Sequence, residues 1–350
     1  MNRSSEQNTS SKLKVGVANE ETWAFFNEIY ASLQAKFRVT LFQRPTSDIP
    51  VFQHRLNRFL FERNLRKLLQ NNEVVFFEWA SELLSAATHQ PKTCGIVVRL
   101  HRYEMYRWVD KINWQAVDRL IVVTEAKKNE FLERFPSMKG RVVVIPEAVS
   151  LERFTPFAKP FSGQIGTLCS LIPRKRVYEL ILAFAELHDR HPSLHLHVAG
   201  PERDIFAEYA ATLYHLVKKL GLQEAVTFYG RIQNPEEWYR KLDIFVSNSY
   251  SEGLQVALLE AMACGVYSLS HAWDGAEELL PPDHLFFSEA ELLSKIEDYL
   301  ELPESAQAEK HQLMQSLVAE KSDIQCTIQR IQEVISEVGA AFIPGKQPEL

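Results

Sequence analysis

The sequence predicts an α/β protein built from two doubly wound parallel-sheet domains. Its 350 residues exceed what one ordinary hydrophobic core accommodates. Hydrophobic residues make up 46% of the chain and charged residues 24%, so a large core can form. Short apolar runs alternate with longer amphipathic runs, and the alternation restarts after Pro156 and Pro160. Such alternation is typical of a parallel sheet covered by helices on both faces.

The elements follow from these periodicities. In the first half, strands are predicted at 13–18, 38–42, 73–77, 95–100, 119–123 and 141–145, and helices at 21–35, 52–69, 80–88 and 125–135. The two closely spaced prolines indicate a linker. In the second half, strands are predicted at 164–169, 194–199, 225–229, 244–247 and 266–270, and helices at 177–190, 205–220, 235–242 and 254–263.

Four segments are therefore expected along the chain. Residues 1–11 are polar and lack the apolar core of a secretory signal, so we predict a disordered N-terminus. Residues 12–155 form an N-terminal Rossmann-like domain, and 156–288 a C-terminal Rossmann-like domain. Residues 289–350 form C-terminal helices, and their packing back on the N-terminal domain is one arrangement left open.

Composition excludes several classes of protein. A net charge of −6 argues against nucleic acid as a partner. The four cysteines lie apart without a C-x-x-C pair, which favours free thiols in a reducing compartment. No apolar run reaches the roughly 18 residues of a spanning helix. We predict a cytoplasmic protein, with the membrane surface as an alternative location.

The segment 251–265 carries the strongest chemical signal. Glu252 follows the strand 244–247, and Glu260 comes eight residues later inside a helix that Gly265 closes. The first helical turn offers unpaired amide groups and a positive dipole end, which suit phosphate oxygens. The alternatives are a Glu252 that balances the helix dipole and a Glu260 that is solvated. Apolar neighbours argue against the second alternative.

A basic loop is the second signal. Arg174, Lys175 and Arg176 follow the strand 164–169 and precede the helix 177–190. Cations at the carboxyl end of a parallel strand can neutralise a diphosphate and stabilise charge on a leaving group. A solvated run of charges is the alternative.

The segment 251–265 resembles the E-x7-E segment of retaining glycosyltransferases of family 4, the glycosyl transferases group 1. The resemblance implies the GT-B architecture, in which two Rossmann-like domains face each other across a cleft that holds a nucleotide-sugar. It implies that 12–155 is the acceptor domain and 156–288 the nucleotide-sugar donor domain. It implies that Glu252 contacts the transferred sugar, that the backbone of Gly253, Leu254 and Gln255 contacts the diphosphate, and that Glu260 contacts the ribose.

The basic loop resembles the phosphate clamp of the same family in part. Lys175 matches the clamp's lysine, whereas Ser170 stands where an arginine is usual. Arg174 or Arg176 is expected to supply the missing charge, and a weaker hold on the diphosphate is the other option. The family's loop beside the nucleotide base corresponds to the segment that contains Gly230 and Ile232.

In the N-terminal half, the resemblance points to His101. It follows the strand 95–100, where the family commonly has a histidine near the bond being broken. Weaker candidates for acceptor contacts are Asn19, Glu20, Glu78 and Arg99. For Glu78, pairing with a nearby arginine is the favoured interpretation. No glycine follows Gly16 in the first loop, so an unusual acceptor pocket is expected.

The helix 52–69 is rich in basic residues, namely Arg55, Arg58, Arg63, Arg66 and Lys67. Its apolar residues go round the helix instead of forming one stripe, which favours a buried domain helix over contact with anionic lipid. Peripheral membrane contact stays an alternative.

The resulting functional prediction is a retaining, metal-independent glycosyltransferase. It moves a sugar from a nucleoside-diphosphate sugar, with a UDP or GDP donor as co-substrate, to a hydroxyl of a glycan or glycolipid acceptor in polysaccharide or glycolipid synthesis. His101, Glu252 and Lys175 are the predicted catalytic residues. We expect no cofactor and no metal, since the chain has no D-x-D motif. The alternative is a catalytically idle nucleotide-sugar-binding subunit that supports a partner transferase.

Overall fold

The computed structural model describes residues 12–23, 25–46 and 53–342. The chain divides into two compact units. The first takes its described residues from Met1–Val123, Lys128–Ile145 and Ile328–Leu350, and the second is formed by Thr124–Lys127 and Pro146–Thr327. The predicted disordered segment 1–11 and the first residue of the predicted helix 52–69 lie outside the described residues. No described helix combines the length and apolarity that crossing a membrane requires.

The first unit contains one parallel sheet with the strand order β2-β1-β3-β4-β5-β6. The strands β1–β6 are Lys14–Ala18, Arg38–Leu41, Val74–Phe77, Gly95–Leu100, Arg119–Val122 and Val142–Val144. The helices α1–α5 are Asn27–Lys36, Gln53–Asn71, Glu82–Thr88, Arg102–Met105 and Glu125–Arg134. Every residue of β3 and β4 is buried, as expected of strands covered on both faces.

Helix α1 begins at Asn27, six residues later than the periodicity predicts. The cause is a turn after β1, in which the Asn19 side-chain oxygen accepts a hydrogen bond from the Glu21 amide at 3.2 Å. A second turn follows, in which the Phe26 amide donates to the Trp23 carbonyl at 3.0 Å. Local side-chain bonds of this kind compete with helix formation.

The second unit contains another parallel sheet, with the order β12-β11-β10-β7-β8-β9. The strands β7–β12 are Gln164–Leu168, His195–Ala199, Val226–Gly230, Ile244–Ser247, Tyr267–His271 and Leu285–Phe286. The helices α6–α11 are Val177–Arg190, Ala207–Lys219, Pro235–Tyr239, Val256–Ala263, Glu289–Leu300 and Glu304–Lys321. The strand order reverses between β7 and β10, and doubly wound sheets bind ligands at the carboxyl ends of the strands at such a reversal.

The last helix, α12 (Ile324–Ala341), packs against the sheet of the first unit. Ile331 and Ile335 are fully buried. A Cβ atom on Gly95, in β4, would lie 2.4 Å from a Val338 methyl group, so the absence of a side chain there lets the helix approach the strand closely. The Gln332 amide donates to the Ser32 carbonyl in α1 at 3.3 Å.

Candidate active site

The strand order of the second unit brings two loops together, 169–176 after β7 and 248–255 after β10. The Tyr250 amide donates to the Arg174 carbonyl at 3.3 Å, and the Asn248 side chain donates to the Arg176 carbonyl at 2.9 Å. Arg176 adopts a left-handed conformation with φ of 50°, which turns the chain from the loop into α6. These bonds hold the basic loop against the loop that carries Glu252.

Glu252 forms the centre of this arrangement. Its carboxylate accepts from Arg174 at 2.9 Å and from the Lys175 ammonium group, although only 7% of Glu252 is exposed. Burial by itself raises the pKa of Glu252, but the charges of Lys175 and Arg174 outweigh burial and leave the pKa below its ordinary value. Glu252 is therefore ionised at neutral pH and shares its charge between two cations.

The third cation of the loop points elsewhere. The Arg176 guanidinium pairs with Glu289, the first residue of α10. Arg174 also donates to the Ser251 carbonyl. Of the two arginines considered as the missing positive charge, Arg174 thus lies beside Lys175 and Glu252, whereas Arg176 is engaged by a different carboxylate.

Helix α9 begins at Val256, two residues later than predicted, and ends at Ala263 as predicted. Gly253 is buried, Leu254 is half-buried, and Gln255 accepts a hydrogen bond from Ser247 at the end of β10. The Leu258 amide in its first turn donates to the carbonyl of the N-cap residue Gln255 at 3.0 Å. At the other end, Gly265 has φ of +78°, and its amide donates to the Met262 carbonyl at 2.9 Å while the Val266 amide donates to Ala261 at 3.0 Å. This is a Schellman C-cap, so the predicted closure at Gly265 is confirmed.

Glu260 lies on the same helix and meets a buried tyrosine. The Tyr239 hydroxyl lies 2.9 Å from a Glu260 carboxylate oxygen and 3.0 Å from the Ala257 carbonyl, and Tyr239 is fully buried. Burial raises the pKa of Glu260 to about 7, because the Tyr239 hydrogen bond and the charge of Arg153 compensate only partly. Sequence periodicity places Tyr239 in a helix but gives no signal for this contact.

The loop after β9 contains Gly230 and Ile232. Gly230 has φ of +60°, and its carbonyl accepts from the Gly200 amide at 2.8 Å. Ile232 is partly buried against the core that includes Trp238. In the sheet order, β9 is separated from β7 by β8, so this loop lies on the other side of β8 from Glu252.

In the first unit, His101 follows β4 directly and is the N-cap residue of α4. Its Nε2 atom lies 3.1 Å from the Glu78 carbonyl and 3.4 Å from a Glu78 carboxylate oxygen. Its ring packs on Trp79, with 4.1 Å between ring centroids. These contacts hold the imidazole at the carboxyl end of the strand.

Arg99 and Glu78 form a buried ion pair behind His101. The Arg99 Nη1 atom donates to Glu78 at 2.6 Å, and both side chains have no exposed surface. The pairing favoured for Glu78 is confirmed. Because neither side chain has exposed surface, the pair stabilises the chain behind His101 in this structure, and acceptor contacts by Glu78 and Arg99 stay a prediction. Glu104 completes the cluster, and burial raises its pKa to about 7.

The other acceptor candidates lie in the loop after β1. Asn19 is 6% exposed and stabilises the turn described above. Glu20 accepts two hydrogen bonds from Arg44, both at 2.7 Å, and the same arginine reaches Glu82 at 3.1 Å. Arg44 was not singled out in the sequence, because its partners lie far along the chain. Among the described residues, no group of three or more His, Cys, Asp or Glu side chains is arranged to hold a metal ion.

Two parallel doubly wound units of this kind define a two-domain α/β protein of the GT-B fold. The HepE protein of Anabaena, solved in complex with UDP and glucose, is similar over 93% of this chain and 99% of its own, with a TM-score of 0.75 and 17% identity. At that identity the likeness shows the fold, and the predicted fold class is confirmed.

The sequence comparison matches part of the chain to one family. Residues 160–312 match the family model of glycosyl transferases group 1. This part of the chain contains both the basic loop and 251–265, so the predicted resemblance to that family is confirmed.

Two curated relatives cover the same part of the chain. A D-inositol 3-phosphate glycosyltransferase of Catenulispora acidiphila is 31% identical over 167 residues, which are 43% of this chain and 39% of the relative. An exopolysaccharide phosphotransferase of Streptomyces coelicolor is 29% identical over 191 residues, 52% of this chain and 20% of the relative. The chain thus spans well under half the length of these relatives.

Proposed function

We propose that this protein is a retaining, metal-independent glycosyltransferase that moves a sugar from a nucleoside-diphosphate sugar to a hydroxyl of a glycan or glycolipid. The observation that carries the proposal is the contact of Lys175 and Arg174 with the buried Glu252 carboxylate, at the strand-order reversal of a group 1 domain. Cations, amides and a carboxylate at one sheet edge suit a ligand that has both phosphate and hydroxyl groups.

In this proposal the donor is held along helix α9. Lys175, Arg174 and the amides of Gly253, Leu254 and Gln255 receive the diphosphate, and Glu260 accepts hydrogen bonds from the ribose. The complex of HepE with UDP and glucose supports a nucleoside diphosphate as the nucleotide part. A UDP-sugar and a GDP-sugar are both candidates, because backbone groups of the loop 230–232 would contact the base.

The chemistry follows from the charges. As the bond between the anomeric carbon and the phosphate oxygen breaks, negative charge grows on the leaving diphosphate, and Lys175 and Arg174 stabilise it in the role that a metal ion has elsewhere. The acceptor hydroxyl attacks from the face that the phosphate leaves, so the configuration is retained. Its proton passes to the departing phosphate oxygen. The ionised Glu252 orients the sugar and favours the positive charge of an oxocarbenium-like transition state.

His101 stays a predicted catalytic residue of the first unit. The buried Glu78–Arg99 pair and Trp79 support this role, because they fix the orientation of its ring. A fixed ring contributes to catalysis without the entropy cost of being positioned for each turnover.

The test measures the release of UDP or GDP from a panel of nucleotide-sugars, with and without hydroxyl acceptors and with a metal chelator. Replacing Lys175 by Ala or Glu252 by Gln should lower kcat/KM by roughly 100- to 1000-fold, because each change removes a charge that meets the reacting groups. The exposed Lys219 at the end of α7, replaced by Ala, is the matched control.

The chelator should leave the rate of the wild-type protein unchanged, and the product should retain the donor's anomeric configuration by nuclear magnetic resonance. Near-normal turnover in both site variants would contradict the proposal. Nucleotide-sugar binding without any turnover in the wild type would instead identify an idle binding subunit.

A further inference from the structure

Arg203 lies on the side of the basic loop opposite to Glu252. The chain after β8 runs next to the chain after β7, since the Leu171 amide donates to the Pro201 carbonyl at 3.0 Å and Leu171 pairs with Glu202 in a parallel bridge. One residue further, the Arg203 Nε atom donates to the Ser170 hydroxyl at 3.3 Å. The hydroxyl of Ser170 is therefore contacted by an arginine from the loop after β8.

Gly200 makes this approach possible. It has φ of +125°, and a Cβ atom at this position would lie 1.8 Å from the Cys169 carbonyl oxygen. Only a residue without a side chain allows such a close approach of two loops. The turn from Gly200 into Pro201 then carries Arg203 to the end of β7.

Arg203 differs from the other cations near the basic loop in its ion pairing. Arg174 and Lys175 contact Glu252, and Arg176 contacts Glu289. Within the described part of the chain, Arg203 forms no ion pair, and its neighbour Glu202 accepts instead from the Tyr214 hydroxyl at 2.6 Å. Arg203 is exposed, so its guanidinium is accessible to an anion from solvent.

The Ser170 contact also orients the guanidinium. It uses the Nε–H group, which leaves the N–H groups of both terminal nitrogens available for the oxygens of a phosphate. A lysine at this position could not bond Ser170 and a phosphate in the same planar geometry.

We propose that Arg203 is a phosphate ligand of the donor, and that it binds the diphosphate from the β8 side while Lys175 and Arg174 bind it from the β10 side. This assignment rests on the function proposed above and deepens it. Both groups of cations border the loop 169–176, because Arg203 contacts Ser170 near its start, and Arg174 and Lys175 follow Ser170 in the same loop.

The experiment is a calorimetric titration of the full chain with the nucleoside, the nucleoside monophosphate and the nucleoside diphosphate of both uridine and guanosine. Replacing Arg203 by Ala should weaken binding of the preferred nucleoside diphosphate by roughly 10- to 100-fold, as expected for loss of a charge-assisted hydrogen bond. Nucleoside binding should change less than about twofold, since the nucleoside has no phosphate. Replacing Arg203 by Lys should give an intermediate loss.

Two further variants sharpen the test. Replacing Arg190 by Ala, at the far end of α6, removes a surface arginine of the same unit and should leave all affinities unchanged. The double variant S170R/R203A places a guanidinium on the neighbouring strand end and should recover most of the lost diphosphate affinity. Thermal unfolding of each variant establishes that the fold is intact.

Four outcomes overturn the assignment. Diphosphate affinity of R203A equal to that of R190A excludes Arg203 as a ligand. An equal loss for the nucleoside and the diphosphate shows that the loop, and not a phosphate contact, was changed. If K175A weakens diphosphate binding and R203A does not, only the assignment of Arg203 is wrong. A wild-type protein that binds no nucleoside diphosphate and no nucleotide-sugar refutes the proposed function together with the assignment.

Discussion

In the protein without ligand, the negative charge of Glu252 is already compensated by neighbouring cations. Two cations from the loop after β7 contact its carboxylate, and their charges keep it ionised in spite of burial. A diphosphate that enters this site must compete with Glu252 for Lys175 and Arg174. A nucleotide-sugar also offers hydroxyl groups to the released carboxylate, so it can replace both halves of the ion pair.

Glu260 leads to a prediction about pH. Its pKa is raised to about 7, mainly by burial, and ribose hydroxyls donate to the ionised form. Donor binding should therefore be strongest above pH 7 and weaken as the pH falls through 7, by up to about tenfold per pH unit. Calorimetry with the intact nucleotide-sugar between pH 8 and 6 measures this change.

The Glu260→Gln variant is the control for this prediction, because an amide does not titrate and its affinity should be flat over the same range. Replacing Tyr239 by Phe removes the hydroxyl that donates to Glu260, which should raise the pKa of Glu260 further and move the loss of affinity to higher pH. A wild-type affinity that is independent of pH would rule out Glu260 as the ribose ligand.

At the scale of elements, the close approach of the loops after β7 and β8 depends on Gly200. Replacing Gly200 by Ala should lower the free energy of unfolding of the second unit by about 3 kcal/mol or more, because the new Cβ atom meets a backbone carbonyl at 1.8 Å. Denaturant unfolding followed by fluorescence measures the change, and nucleotide binding should be lost with it.

Gly221 provides the matched comparison. It also has a positive φ, +72°, but a Cβ atom there has nothing within 4 Å. Its replacement by Ala should cost only about 1 kcal/mol, the conformational part alone. Equal destabilisation by the two substitutions would mean that the contact with Cys169 contributes nothing.

The strands could be predicted because they are short apolar runs, and the bounds of β3, β4 and β10 agree with the sequence to within one residue. The late start of α1 could not be predicted, because it depends on the turn that the Asn19 side chain stabilises. Lys175 and Glu252 were predicted as site residues because both follow predicted strands. Three contacts were missed, namely those of Tyr239 with Glu260, Glu289 with Arg176 and Arg203 with Ser170. They depend on which loops become neighbours in the sheet, and local patterns do not specify strand order.

At the scale of the whole molecule, the last helix belongs to the first unit from Ile328 onward. Replacing the fully buried Ile331 of α12 by Ala should destabilise that unit by about 2–5 kcal/mol through the cavity it leaves. Hydrogen exchange resolved by peptide should then increase in β1 and β4 but not in β7–β11, and nucleotide binding should be retained.

The exposed Glu337 on the same helix, replaced by Ala, is the control and should leave exchange unchanged. Exchange that rises equally in both sheets of the Ile331 variant would show that the chain unfolds as one cooperative body and not as two units.

The reversal of strand order has a consequence for the newly made chain. Lys175 and Glu252 are 77 residues apart, and the strands between them, β8 and β9, lie on the far side of β7 from β10. A nascent polypeptide that has emerged from the ribosome only as far as residue 230 holds the basic loop but neither its carboxylate nor helix α9. The anion site thus comes into existence only after β10 inserts beside β7, so capture of a nucleotide reports that the second half of the domain has been synthesised and folded.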